Sequence, residues 1–223
     1  MNPVRKKNVL KNDWTLKKLT KQLINYKNMQ KNKKGHLYIV MGTSGAGKGT
    51  LRKNLEKAEI SDLEFIKSYV TRKMREGEIN WDVYNFISEE KFREKIENNE
   101  FLEYEYVHNH AYYGTVLEDV MNWIENGKKI MKEMDMQGLK NIFINNPHLK
   151  EHITTIFLNL SQEKFAERIA SRWAMMSEEE FKSREESLKR EIIDAEKYCD
   201  YIIDTSEKTP EEVFYDVMKI LKK

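Results

Sequence analysis

The chain has 223 residues, 39% hydrophobic and 34% charged, which suits one α/β domain with small lobes and a heavily solvated surface. Cys199 is the only cysteine, which excludes an intrachain disulfide, and no apolar run reaches the roughly 18 residues of a membrane-spanning helix. The net charge of +2 hides an uneven distribution, since residues 1–34 hold eleven Lys or Arg and a single acid, Asp13. With no apolar leader stretch at the N-terminus, a cytoplasmic protein is expected.

In residues 1–34, Asp13 can cap a helix whose Leu16, Leu19, Leu23 and Tyr26 share one face among lysines. Such a helix can pack on its own domain, stay a partly disordered arm, or meet an acidic partner, RNA or an anionic membrane. No specific nucleic acid is expected.

Leu37 to Met41 reads as a buried strand, and it runs straight into Gly42, Thr43, Ser44, Gly45, Ala46, Gly47, Lys48, Gly49 and Thr50. Strand, glycine-rich turn and helix start together are the setting of a phosphate-binding P-loop. Glycines let backbone N–H groups converge on phosphate oxygens, and the helix N-terminus and Lys48 add positive charge. Gly42, Gly47 and Lys48 fill the G-x-x-x-x-G-K pattern. Gly49 stands where Ser or Thr is usual, with Thr50 one step later, so a magnesium ion would be held through phosphates and water rather than by a direct hydroxyl ligand. A nucleoside triphosphate is the expected ligand.

Further along, Glu64–Tyr69 reads as a second strand, and Ser88–Asn98 as a helix capped by Ser88, with Glu89 and Glu90 in its first turn. Leu117–Asn126 reads as a helix ending at Gly127. Lys128–Asp135 alternates as a strand, which places Glu133 and Asp135 on one side of it. Ile153–Leu160 is a buried strand, Ser161 caps a helix, and a longer helix runs from Ser177 to near Lys197. Tyr201–Ile203 is a last short strand, and Pro210 opens the terminal helix. Strands alternating with helices predict a parallel, doubly wound sheet.

The segments between the predicted elements narrow the acceptor. Ser68, Arg72, Arg75 and the Tyr84 hydroxyl can form a cradle for a phosphate dianion, because guanidinium forks match phosphate oxygens and stay charged. Glu103 follows Phe101 and Leu102, where its carboxylate can accept from the adjacent N1–H and N2 amino donors of guanine, while adenine lacks the N1 hydrogen. Thr115 can donate to guanine O6, and Tyr112 and Tyr113 bring apolar bodies with polar tips. His108 and His110 suggest a metal pair but have no further ligands nearby, so an exposed hairpin loop is the reading.

Five segments in order, the P-loop, Ser68–Glu78, Asp82–Phe86, Phe101–Glu103 with Tyr112–Thr115, and Glu133–Gly138, closely resemble the guanylate kinase family over about residues 37–222. The resemblance implies a P-loop nucleoside monophosphate kinase fold: a parallel sheet flanked by helices, with an inserted GMP-binding lobe and a helical lid. It implies the divisions 1–34 for a basic extension, 35–67 for the core with the P-loop, 68–115 for the GMP lobe, 116–167 for more of the core, 168–186 for the lid and 187–223 for the C-terminal core. It also implies transfer of the γ-phosphoryl group of Mg·ATP to GMP, and to dGMP, with ATP on Gly42–Thr50. Ser68, Arg72, Arg75 and Tyr84 would hold the GMP phosphate, with Tyr113 packed near it. Glu103 and Thr115 would read the base, and Glu133 and Asp135 would lie near the acceptor and the hydrated magnesium. Lys48, Arg72, Arg168, Arg172 and Arg184 would carry catalysis. The turn at His108–Ala111 is one residue longer than the family's, which leaves the register from Glu103 to Tyr113 open. The lid has Ser171 and Trp173 where the family has glycines, so closure can place Trp173 over the adenine. Other readings are a guanylate-kinase-like module that binds protein, or a kinase of another small phosphate acceptor.

Overall fold

The computed structural model describes residues 35–222 apart from 76, 81–83, 108–110 and 173–177, with the side chains of 107, 166, 169–172 and 178–185 also outside the description. The expectations for residues 1–34, His108, His110, Trp173 and the side chains of Arg172 and Arg184 therefore lie outside the described residues. The described residues belong to one compact unit, Gly35–Lys223.

Its centre is β1 (His36–Gly42), where every residue from Leu37 to Met41 is 5% exposed or less. A strand that is apolar along its whole length, not only at alternate positions, must be covered on both faces. Each such side chain contributes about 1.5–3 kcal/mol by leaving water. Five strands, β2 (Leu63–Phe65), β7 (Lys129–Glu133), β1, β8 (Ile153–Asn159) and β9 (Tyr201–Asp204), form one sheet in that order, every neighbouring pair parallel. The expected parallel sheet is thus present, with Ile153–Leu160 and Tyr201–Ile203 as strands within one residue of their predicted ends.

A second sheet, not anticipated as one, has the order β4 (Tyr84–Phe86), β3 (Ser68–Val70), β6 (Ala111–Val116) and β5 (Phe101–Val107). The stretch Glu64–Tyr69, read as a single strand, divides between the two sheets. Ile66 still donates its N–H to Met131 of β7 at 3.0 Å, and from Ser68 onward the chain pairs with β4 instead. The crossing point lies at Lys67, and Ser68 therefore starts the lobe beside the end of β7.

Helix α2 (Glu89–Glu97) covers this second sheet. Ser88 caps it as predicted, its hydroxyl accepting from the Lys91 N–H at 3.3 Å. Phe92 is fully buried and stacks on Phe101 and Tyr112 at centroid separations of 4.3 and 5.2 Å. Gly114 is required beneath them, since a Cβ there would lie 2.9 Å from both Phe92 and Phe101.

The P-loop helix α1 (Lys48–Lys57), α3 (Leu117–Glu125), α4 (Met136–Asn145), a 3₁₀ turn (Pro147–His152), α5 (Gln162–Arg172), α6 (Glu178–Tyr198) and α7 (Pro210–Leu221) complete the unit. Thr209 and Glu212 form a reciprocal capping box on α7, with Pro210 in its first turn. Ser161 accepts from the Lys164 N–H at 3.3 Å, as its predicted capping role requires. No helix among the described residues is long and apolar enough to cross a membrane.

Candidate active site

The P-loop is shaped by backbone that only glycine adopts at low cost. Gly45 and Gly47 have φ of 82° and 97°, and Gly47 is the N-cap of α1 with no side-chain cap. At Gly42 the reason is contact, because a Cβ would meet the Leu158 carbonyl oxygen at 2.5 Å. Thr43 and Ala46 are buried, while Ser44, Gly49 and Thr50 are exposed. Lys48 donates to the carbonyls of Gly42 at 2.5 Å and Thr43 at 3.1 Å, which lays its ammonium across the mouth of the loop. Burial lowers the Lys48 pKa, and Glu191 and Glu133 oppose that shift.

Two cavities flank this loop on the sheet's C-terminal side, and they share the wall formed by Lys48, Glu105, Met134 and Asp135. One, of about 560 Å³, takes in Gly42, Ser44, Arg190 and Glu191. The other, of about 320 Å³, opens towards the lobe and is lined by Ser68, Tyr84, Glu103, Tyr113, Lys132 and Glu133. A smaller hollow of about 190 Å³ lies behind the loop against Gly45, Gly47, Thr50, Arg168 and Lys208. Crevices beyond the carboxyl ends of parallel strands are where α/β sheets bind ligands.

On the lobe side, strand pairing settles the register left open by the longer turn: Glu103 lies opposite Thr115 and Glu105 opposite Tyr113, after a bulge between Phe101 and Glu103. Thr115 is fully buried and donates to the Glu103 carboxylate at 2.5 Å. Its hydroxyl hydrogen is thereby committed to Glu103, and not to a base as expected. Burial raises the Glu103 pKa, while Lys132 and the Thr115 hydrogen bond pull it back.

The arginines also differ from the expected open cradle. Arg72 grips Glu78 with two bonds of 2.5 and 2.6 Å, and its Nε donates to the Tyr113 hydroxyl at 3.1 Å. The guanidinium also lies 5.2 Å from the ring centre of Tyr84. Glu78 accepts from the Arg75 backbone N–H at 2.7 Å, and the Arg75 side chain is exposed. Glu78 is therefore the anion that relieves the arginine pair in this structure. Arg72's hydrogen bonds, then the Arg75 N–H, hold its pKa down to about 2.

Asp135 is not on the strand, as the i, i+2 reading required. β7 ends at Glu133, and Asp135 caps α4 by accepting from the Gly138 N–H at 2.6 Å. Both acids nevertheless line the lobe-side cavity. Among the described residues, no group of three or more His, Cys, Asp or Glu is placed to hold a metal ion. Arg168 reaches the carbonyls of Gly45 at 3.2 Å and Thr205 at 3.0 Å, which ties α5 to the P-loop and to the loop after β9.

Sequence reasoning missed four residues here. Lys132 is 4% exposed within β7 and donates to Ser68 Oγ; Lys129 and Glu133 of the same strand are charged too, so nothing local marked Lys132 as the enclosed one. Glu105 shares a strand face with Glu103 two residues earlier, and its hydrogen bond with Asp135 raises its pKa to about 8. Glu191, half-buried on α6, and Arg52 on α1 had no local signature, because only the fold brings them to the cleft.

Comparisons with known proteins bear on the family and the fold. The family model described as guanylate kinase matches residues 34–223. A guanylate kinase of Helicobacter pylori is 35% identical over 186 residues, or 83% of this chain and 87% of that protein. One from Lactobacillus johnsonii is 43% identical over 109 residues, so that the chain spans about half (52%) of that relative's length. The crystal structure of guanylate kinase from Anaplasma phagocytophilum shares the fold with a TM-score of 0.63 at 24% identity, covering 85% of each chain. The matched span, nearly all of the chain beyond the basic extension, places this chain in the guanylate kinase family.

Proposed function

We propose that the chain transfers the γ-phosphoryl group of ATP to GMP, and to dGMP, giving ADP and GDP. The observation that carries this reading is the shared wall: a P-loop cavity and a base-sized cavity meet at Lys48 and Asp135. Two nucleotides lying in them would meet phosphate to phosphate. The acceptor phosphate has a second pKa near 6, is largely a dianion at pH 7, and needs no general base. The barrier lies in bringing two polyanions together, so catalysis is positioning plus electrostatic stabilisation.

In this reading the P-loop amides and Lys48 hold the donor phosphates. Arg72, already aimed by Glu78 and Tyr113, exchanges part of its carboxylate contact for the acceptor phosphate, joined by Ser68, Arg75 and the Tyr84 hydroxyl. Glu103, steadied by Thr115, accepts from the guanine N1–H and N2 amino group. Arg168 braces the loop, and Arg172 and Arg184 are assigned to the lid. Glu133 and Asp135 would hold a magnesium ion through water, and the ion, arriving on the ATP phosphates, would neutralise charge on the transferring group. The carboxyl chemistry fits an ion held by phosphate and water, as the residues at 49 and 50 suggested. A cytoplasmic setting suits the single thiol, which burial pushes up to about 12 at Cys199 and so keeps unreactive. Residues 1–34 would serve as an arm for an acidic partner.

A coupled ADP-release assay with a panel of nucleoside monophosphates tests the assignment. Turnover with GMP and dGMP, and little with AMP or CMP, is expected; robust activity on AMP without GMP would overturn it.

A further inference from the structure

Lys132 is a cation of the cleft with no part in the reaction scheme above. Lys132 sits on β7 with its side chain enclosed, although phosphoryl transfer between nucleotides would place its cations at the phosphates. A buried ammonium is costly unless paired and hydrogen-bonded. Lys132 has a hydrogen-bond partner in Ser68 and shares the lining of the acceptor cavity with Glu103. Its Nζ donates to Ser68 Oγ, and Glu103 is the acid that most strongly sustains its charge against burial. Glu103 lines the same cavity, where the Lys132 ammonium favours its ionised form against its own burial.

The hydrogen-bond inventory then determines orientation. An ammonium only donates, so Ser68 Oγ must be the acceptor and its own hydrogen must point elsewhere. Ser68 lines the lobe-side cavity, where an acceptor phosphate would supply the oxygen. Glu103 receives Thr115 on Oε1, which leaves its remaining lone pairs for two adjacent donors on a base.

We propose that Lys132 is a positioning residue for the acceptor nucleotide: it holds Ser68 with its hydroxyl hydrogen turned towards the phosphate, and holds Glu103 as the carboxylate that reads guanine. This rests on GMP being the acceptor. Lys132 acts through these two side chains and does not touch the phosphoryl group in transfer. The charged groups facing its ammonium are Glu103 from β5, Arg52 from α1, Glu133 on β7 and Asp135 at the start of α4.

The experiment is steady-state kinetics of the wild-type chain and Lys132→Met, a near-isosteric neutral variant, from pH 6.5 to 8.5. Loss of a charge-assisted contact predicts a KM for GMP raised about 10- to 100-fold at pH 7, with the KM for ATP within about twofold. Without the ammonium, Glu103 holds its proton to higher pH, so the variant's KM for GMP should fall more steeply with rising pH than that of the wild type, where Glu105, at about 8 in the same cavity, is the acid that changes charge in this range. A purely structural lysine would lower thermal stability and active fraction but leave both KM values and the pH profile unchanged, and that result overturns the proposal. Should Lys132→Met fail to fold, Glu103→Gln and the double variant Glu103→Gln with Lys132→Met replace it, since removing both charges of a buried pair is tolerated better than removing one. The two should then differ by less than about threefold in KM for GMP if lysine acts mainly through Glu103; a larger gap overturns that route. A wild-type chain inert towards GMP removes the activity assignment and this proposal together, whereas an active wild type with an unaltered Lys132→Met removes the proposal alone.

Discussion

The two halves of the cleft recognise phosphate by different means. On the donor side the recognising surface is main chain, with φ of 82° and 97° at Gly45 and Gly47, a helix N-terminus and one lysine. On the acceptor side it is side chains, and nearly every polar one is already engaged: Arg72 with Glu78, Thr115 with Glu103, Lys132 with Ser68. A backbone loop needs only the right residue order to form its anion site. A side-chain site must hold its charges apart from water and from one another, so it is built of pairs, within one loop for Arg72 and Glu78 and across strands for Thr115 with Glu103 and Lys132 with Ser68.

The largest effect should come from breaking the donor half. Lys48→Ala removes the ammonium carried by the loop itself and should lower kcat by about 100- to 1,000-fold, with thermal unfolding little changed. A loss of less than tenfold in the ADP-release assay would mean that the backbone amides suffice. Glu103→Gln tests the acceptor half, because an amide offers one acceptor where guanine needs two. It should cost about 100-fold in kcat/KM for GMP while calorimetric affinity for ATP stays the same; equal damage to both would argue against base reading.

The smallest effect sharpens the contrast between the halves through pH. Glu78 has its folded pKa held down to about 2, below its ordinary value of 4.5. The pair therefore adds stability above about pH 4.5 and loses it as pH falls towards 2. Glu78→Gln should abolish that component of acid unfolding, seen as a small flattening of the fall of melting temperature between pH 5 and 2.5, since the pair is partly open to solvent. An unchanged slope would show that Arg72 does not depend on Glu78.

How much was legible in advance follows the same division. The run from Leu37 to Thr50 carries its own geometry, and strand, loop and helix lie where the residues placed them. Ser88, Ser161 and Pro210 signal helix starts through geometry set within four residues, which is why those boundaries could be read. Glu64–Tyr69 could not be divided by reading it, because periodicity within six residues says nothing about which sheet each half will join. Asp135 was assigned to a strand since alternation continues through it, yet a helix cap outweighs alternation where β7 ends.

The order of amino acids alone determined the anion-binding loop, the apolar central strand and the set of ionisable groups available to the cleft, since each depends on neighbours within a few positions. Only the tertiary structure decided which of those groups meet. It joined Arg72 to Tyr113, seated Lys132 against Ser68, and brought Glu191 of α6 to face Lys48. Charges attract over distances that the fold sets, and the chain crosses from one sheet to the other before most of these partners come within reach.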